Sequence, residues 1–241
     1  MVYRLTKLAL WPYLRLGFRV RTQGLEHVPA RGAAILASNH LSFCDSLFVA
    51  LVLRRQVAYV AKAEYFDDWR TAWFFRGCGH IPMRRGPGAE WRRALESAVG
   101  VLEDGHLLGI YPEGTRSKDG RLHRGHTGLA MVALRTGAPV IPVGITGTRE
   151  AQPIGRRIPR PFHTITIRIG APLDFSAYKD RAGERRVLRY VTDTVMAEIQ
   201  RLSGQEYAGH YAGASRPDPG QGARPSVAID LAPPAPSVTE P

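Results

Sequence analysis

Cysteine is scarce in this sequence: only Cys44 and Cys78 occur in 241 residues. Their spacing fits neither a metal site nor a redox motif, which excludes a disulfide-stapled scaffold. Reduced thiols in a cytosolic compartment are the expectation. Acidic residues are also few, 21 against 33 Lys and Arg, for a formal net charge of +12. None precedes Glu26. That imbalance predicts an anionic partner: nucleic acid, an anionic membrane or a phosphorylated substrate. Long apolar runs are missing too. Near the N-terminus the longest charge-free stretch is Leu8 to Leu14, whereas a spanning helix needs about 20 apolar residues. A signal peptide needs an unbroken apolar core and a small-residue cleavage site, so neither is expected. No internal repeat is visible, and no His, Cys, Asp and Glu cluster has metal-ligand spacing.

What is present at the start is a basic amphipathic pattern. Arg4, Lys7, Arg15, Arg19 and Arg21 alternate with Leu5, Leu8, Leu10, Trp11, Leu14, Leu16 and Phe18. Residues 1–23 therefore read as one or two short helices, broken near Pro12, lying at a membrane interface. A terminal helix packed on its own domain fits the same pattern. From residue 24 to 204 apolar strand-like and helix-like segments alternate. Strands are expected near Ala33–Ser38, Gln56–Ala61, Gly79–Arg84, Leu107–Tyr111, Pro139–Ile145 and Thr164–Ile169. Helices are expected near Asp67–Arg76 with Asp67 as cap, Glu90–Glu103, His126–Arg135 and Arg181–Leu202. The aromatic cluster Trp69, Trp73, Phe74 and Phe75 suits a core or, beside Arg70 and Arg76, a membrane interface. The alternation predicts a single α/β domain with a largely parallel sheet flanked by helices. Residues 205–241 shift to Gly, Ala, Pro and Ser, the composition of a disordered tail.

The chemistry-bearing stretch is Asn39-His40-Leu41-Ser42-Phe43-Cys44-Asp45, directly after the first apolar strand. Free imidazole titrates near pH 6.5, and a carboxylate on its second nitrogen fixes the tautomer and stabilises the imidazolium. His40 and Asp45 thus suggest a base and its orienter; a loop histidine with a helix-capping Asp is the plain alternative. Other loops follow strands: Arg84-Arg85, then Tyr111-Pro112-Glu113-Gly114-Thr115-Arg116-Ser117, then the Pro139–Ile145 strand itself. In open α/β sheets ligands sit at the carboxyl ends of strands, so these loops can surround His40. Arg85 and Arg116 offer guanidinium forks that match phosphate, or are surface charges. Gly114 lets backbone approach a ligand, and Glu113 can hold an arginine or bind a hydroxyl. Cys44 raises the rival of a thiol nucleophile.

These blocks resemble the glycerolipid acyltransferases, in particular the 1-acylglycerol-3-phosphate acyltransferases. Asn39 to Asp45 matches the N-H-x(4)-D block. Gly79 to Arg85 resembles the second block, and Glu113 to Ser117 matches the third residue for residue. Val140-Ile141-Pro142-Val143 resembles the fourth, and Ala61 to Phe66 also fits; the likeness runs from about Gly24 to Pro172. Pro82, Met83, Arg84 and His123-Arg124-Gly125 depart from the usual pattern and bear on the acceptor's identity.

The resemblance implies direct acyl transfer with His40 as base and Asp45 as its orienter. It places Arg85, Glu113, Gly114, Thr115 and Arg116 at the substrate. The donor is acyl-coenzyme A or acyl-carrier protein, with no metal and no further cofactor. The partners it implies are a lysophospholipid acceptor and an anionic phospholipid membrane, with the protein peripheral on the cytoplasmic face of the cell membrane. A nucleic-acid-binding module would share the basic charge, but no recognition motif is present, so no nucleic-acid partner is expected. A non-catalytic lipid-binding protein on the same fold is the third alternative.

Overall fold

The structure, a computed structural model, describes residues 2–84 and 89–213. Seven strands form one sheet: β1 (Arg19–Gln23), β2 (Ala34–Ser38), β3 (Val57–Lys62), β4 (Ile81–Met83), β5 (Leu107–Ile110), β6 (Val140–Thr146) and β7 (Thr164–Ile169). Their order is β1-β7-β6-β2-β5-β3-β4. Every neighbouring pair is parallel except β6–β7. The helices are α1 (Val2–Gly17), α2 (Asp45–Val52), α3 (Glu64–Asp67), α4 (Trp69–Gly77), α5 (Ala89–Glu103), α6 (Gly128–Thr136), α7 (Thr148–Ala151) and α8 (Arg185–Ser203).

β2 lies at the centre, and all five of its residues are buried. Its side chains alternate between two cores. Ile35 and Ala37 face α5, α6 and α8, whereas Ala34 and Leu36 face α1 and α2. A strand covered on both sides needs apolar residues at every position, which is why it reads as an unbroken run. α8 supplies the largest stripe: Val187, Leu188, Val191, Val195, Met196, Ile199 and Leu202 are buried at helical spacing. Each such side chain contributes roughly 1.5–3 kcal/mol on burial. The C-terminal turn of α8 rests directly on β6 at Gly144, where a Cβ would sit 2.5 Å from the Leu202 and Ser203 backbone.

Several sequence expectations are corrected. Residues 1–23 are not all helical: Arg19–Gln23 is an edge strand paired with β7. The first helix does not break at Pro12; α1 continues through it. The carbonyl that Pro12 leaves without a helical donor is that of Leu8, a residue 72% exposed, so water can serve it. The cap of α4 is Asp68, which accepts from the Arg70 amide at 3.0 Å. The aromatic cluster is divided: Phe75 is buried against Tyr65 and Phe66, while Trp69 and Trp73 stand in solvent. The domain also does not end at residue 204. Tyr207 is buried in the core, and backbone bonds join Leu122 to Glu206 and Ala208, and Arg124 to His210. The remainder of the expected tail, from 214 onward, lies outside the described residues. No helix among the described residues is long and apolar enough to cross a membrane.

Candidate active site

The site forms where β2 ends. Asn39 extends the β2–β6 pairing by side chain: its Oδ1 accepts from Ile145 N and its Nδ2 donates to Ile145 O, both at 2.8 Å. That anchor turns the chain, and His40 follows at the carboxyl edge. His40 Nδ1 lies 2.9 Å from Asp45 Oδ2. A carboxylate oxygen only accepts, so Nδ1 carries the proton and Nε2 is left as an acceptor. Asp45 is fully buried at the first turn of α2, where the helix end favours negative charge. The same Oδ2 accepts from the Leu41 and Ser42 amides at 2.8 Å each. These amides precede α2, whose N-cap is Cys44 with no side-chain cap bond, so Asp45 orients His40 and ties its loop rather than capping the helix.

The loop after β5 closes over His40. Tyr111 stacks on the imidazole, ring centroids 3.8 Å apart and planes 14° apart. Ser117 N donates to His40 O at 2.7 Å. Glu113 is buried, and each of its oxygens takes one backbone amide at 2.9 Å: Oε1 from His40 and Oε2 from His123. Among the described residues Glu113 pairs with no arginine; it brackets two loops, and it also lines the cavity beside His40. Burial pushes its carboxyl up to about 7, against the pull of the two amide bonds.

That shift has a sign. A carboxyl raised from about 4.5 to about 7 contributes stability that is full below pH 4.5 and lost as pH rises through 7. Replacing Glu113 by Gln turns one acceptor into a donor facing an amide, which costs about 1–3 kcal/mol. Glu113→Gln should therefore lower the melting temperature, and its melting curve should be flatter in pH between 4.5 and 7 than that of the parent. Equal pH slopes would show that Glu113 does not titrate in that window.

Gly114, Thr115 and Arg116 line the same cavity as His40. Gly114 has φ +71°, and a Cβ there would press on His126 at 3.1 Å. Arg116 forms no ion pair among the described residues. Arg85 lies outside the described residues. Its neighbour Arg84 lines the cavity and pairs with Asp67 at 2.9 Å. The cavity holds about 800 Å³. Its polar lining includes His40, Glu113–Arg116 and His126; its apolar lining includes Leu10, Leu14, Leu47, Leu51, Phe74 and Phe75.

The thiol alternative fails on environment. Cys44 is fully buried, and burial pushes its thiol up to about 12, so a nucleophilic thiolate is disfavoured. Other imidazoles are differently engaged. His80 accepts from Tyr59 N at 3.1 Å and is pushed down to about 4 by burial. His123 pairs with Asp119 at 3.0 Å. His126 stacks on Tyr211, and burial followed by the Arg189 charge lowers its pKa.

Two supports carried no sequence signal. Gln152 is buried, and its Oε1 accepts from Ser42 Oγ at 3.0 Å and Cys44 N at 2.9 Å, fixing the loop between His40 and Asp45. Residues 205–213 form the second. Gln205 Oε1 accepts from Asn39 Nδ2 at 2.6 Å, its Nε2 donates to Gly120 O at 2.8 Å, and Ala212 reaches the cavity. Deleting the chain from Gln205 onward should therefore lower the melting temperature by several degrees and reduce turnover. A truncated protein that melts and turns over like the parent would show that this segment adds nothing.

Fold and site together define an α/β protein with a hydrogen-bonded His–Asp pair at the carboxyl edge of its sheet. The acyltransferase family profile matches residues 19–146, more than half of the sequence, and the chain belongs to that family. A chloroplastic 1-acyl-sn-glycerol-3-phosphate acyltransferase of Arabidopsis thaliana is 30% identical over 149 residues, 61% of this chain and 40% of that protein. The 1-acyl-sn-glycerol-3-phosphate acyltransferase of Limnanthes douglasii is 33% identical over 168 residues, 69% of this chain and 58% of that protein. The chain thus spans only about half the length of these relatives. Among solved structures, the 1-acyl-sn-glycerophosphate acyltransferase PlsC of Thermotoga maritima superposes with a TM-score of 0.64 at 27% identity, over 83% of this chain and 78% of that one.

Proposed function

We propose that this protein transfers a fatty acyl group to the free hydroxyl of 1-acylglycerol-3-phosphate, giving phosphatidic acid. The observation that carries the reading is the His40–Asp45 pair, whose histidine lines a cavity together with Arg116 and many apolar side chains. His40 Nε2 takes the proton of the acceptor hydroxyl as its oxygen attacks the thioester carbonyl of acyl-coenzyme A or acyl-carrier protein. The tetrahedral intermediate then expels the thiolate, which recovers the proton from the imidazolium. Tyr111 and Asp45 hold the imidazole and Glu113 the His40 backbone, so that little reorganisation is needed. Arg116, together with Arg85, takes the acceptor phosphate; the apolar lining takes an acyl chain. The names of the similar plant and bacterial proteins support this acceptor.

The reading places the protein as a peripheral protein on anionic phospholipid at the cytoplasmic face of the cell membrane. Leu5, Leu8, Trp11 and Leu16 of α1 and Trp69 and Trp73 of α4 are exposed, beside Arg4, Arg15 and Arg70. Apolar side chains flanked by basic ones are what such an interface needs.

Substitution of Arg116 tests the acceptor. Losing one charge-assisted partner costs about ten- to a hundredfold in kcat/KM, so Arg116→Ala should lose that much on lysophosphatidic acid. Lysine should restore part of it, since a point charge cannot form the bidentate pair. Monoacylglycerol should be a poor acceptor for the parent and little worse for the variant. Equal use of both acceptors by the parent would overturn phosphate recognition and direct attention to other lipid alcohols, with Pro82, Met83 and Arg84 as the first residues to test.

A further inference from the structure

The loop between β6 and β7 is built for something other than the sheet or the cavity. Residues 152–163 carry Arg156, Arg157 and Arg160, and no acidic residue lies between Glu150 and Asp174. None of the three arginines forms an ion pair among the described residues. Interleaved with them are bulky side chains in solvent: Ile158 is 66% exposed and Phe162 is 90% exposed. Phe162 has φ +68° and is, among the described residues, the only non-glycine at positive φ. That conformation is unfavourable for a bulky residue and persists only where surroundings impose it. Here it presents an aromatic ring to solvent, which does nothing for the folded state.

The loop is nevertheless held firmly. Pro153, Pro159 and Pro161 restrict it. Gln152 Nε2 donates to the carbonyls of Arg156 and Arg157 at 3.1 and 3.0 Å, and Arg160 N donates to Ala151 O at 2.7 Å. Its far end is fastened to α1: Tyr13 Oη donates to Pro159 O at 2.7 Å and Phe162 N to Gly17 O at 2.6 Å. The exposed loop therefore continues the surface of α1 beside Leu16, which is 82% exposed. It also follows the carboxyl end of β6, the edge that bears His40.

We propose that residues 152–163 are a second membrane-contact element, distinct from α1, that docks on an anionic phospholipid bilayer. Ile158 and Phe162 enter the acyl-chain boundary, and Arg156, Arg157 and Arg160 take lipid phosphates. This rests on the peripheral-membrane reading and adds a separate surface to it. Charge complementarity selects the anionic bilayer. A symmetric contact with a second copy would set arginines against arginines. Single-stranded nucleic acid calls for several stacking aromatics, whereas this loop has aliphatic side chains and one Phe.

The test is flotation of the full chain with vesicles of phosphatidylcholine alone or mixed with phosphatidylglycerol. Changing Arg156, Arg157 and Arg160 together to Gln should weaken binding to the anionic vesicles by about ten- to a hundredfold, with little change on phosphatidylcholine. Ile158→Ser with Phe162→Gly should weaken binding to both. Its melting temperature should be no lower than the parent's, because glycine accepts φ +68° freely. Acyl transfer to a detergent-dispersed acceptor should be unchanged in both variants. Leu5→Ser with Leu8→Ser on α1 gives the comparison. Loop variants that float like the parent while the α1 variant does not would overturn this inference and leave the proposed function standing. A parent that floats with neither vesicle would overturn the peripheral-membrane reading as well. Flotation unchanged while the arginine variant loses DNA binding or self-association would overturn the lipid assignment in favour of that partner.

Discussion

His40→Ala should reduce acyl transfer by about 10²–10⁴-fold, the usual worth of a general base, in a protein that folds and melts close to the parent. The fold should survive because the loop around His40 is held by groups other than its ring. Glu113 Oε1 and Ser117 N bond the His40 backbone, Gln152 holds Ser42 and Cys44, and Asn39 is fastened to Ile145. Among the described residues the neighbouring imidazoles lack a buried carboxylate orienter like Asp45. His80 and His123 are occupied by Tyr59 N and Asp119, and His126 lies stacked on Tyr211. Steady-state rates with a soluble acyl donor, beside a melting curve, check both halves. More than a few per cent of parental activity in the folded variant would remove His40 from the role of base.

Asp45→Asn should also cost about 10²–10⁴-fold while sparing most of the stability, and the structure explains the split. Oδ2 of Asp45 accepts from His40 Nδ1, Leu41 N and Ser42 N, whereas Oδ1 has no hydrogen-bond partner among the described residues. An asparagine oxygen in place of Oδ2 keeps all three bonds. What it cannot supply is the negative charge that stabilises the imidazolium as the hydroxyl proton moves. The buried amide left over costs about 1–3 kcal/mol. Asp45→Ala removes the acceptor altogether and frees two backbone amides, so its melting temperature should fall further than that of Asp45→Asn. The paired comparison of rate and melting temperature checks this. If Asp45→Asn turns over like the parent, the carboxylate only ties the loop at Leu41 and Ser42.

What was readable from the sequence was the part carried by contiguous residues. β2 is an unbroken apolar run because both of its faces are covered, and the polar block after it, His40 to Asp45, stands out by contrast. Arg116 was legible only through the block it belongs to. β1 was not recognised: Val20 and Thr22 alternate with Arg19 and Arg21, but the same residues extend the basic pattern of α1, and the pairing partner β7 lies some 145 residues away. The docked segment 205–213 is hidden because it has no apolar periodicity: it is held by backbone bonds to residues 122–124 and by single side chains, Gln205, Tyr207 and Tyr211. The bracketing role of Glu113 is invisible in sequence because its partners, the His40 and His123 amides, are backbone groups. Gln152 could not have been found at all: its value comes from meeting the catalytic loop across 110 residues of chain.

The central claim is that His40 and Asp45 move an acyl group onto a lysophospholipid hydroxyl. It is tested most directly by incubating the purified full chain with 1-acylglycerol-3-phosphate and acyl-coenzyme A carrying an isotopically labelled acyl chain, then identifying the product by mass. The account predicts phosphatidic acid bearing the labelled chain from the parent and almost none from His40→Ala. Free labelled fatty acid with no diacyl product, or the same product from both proteins, would contradict it.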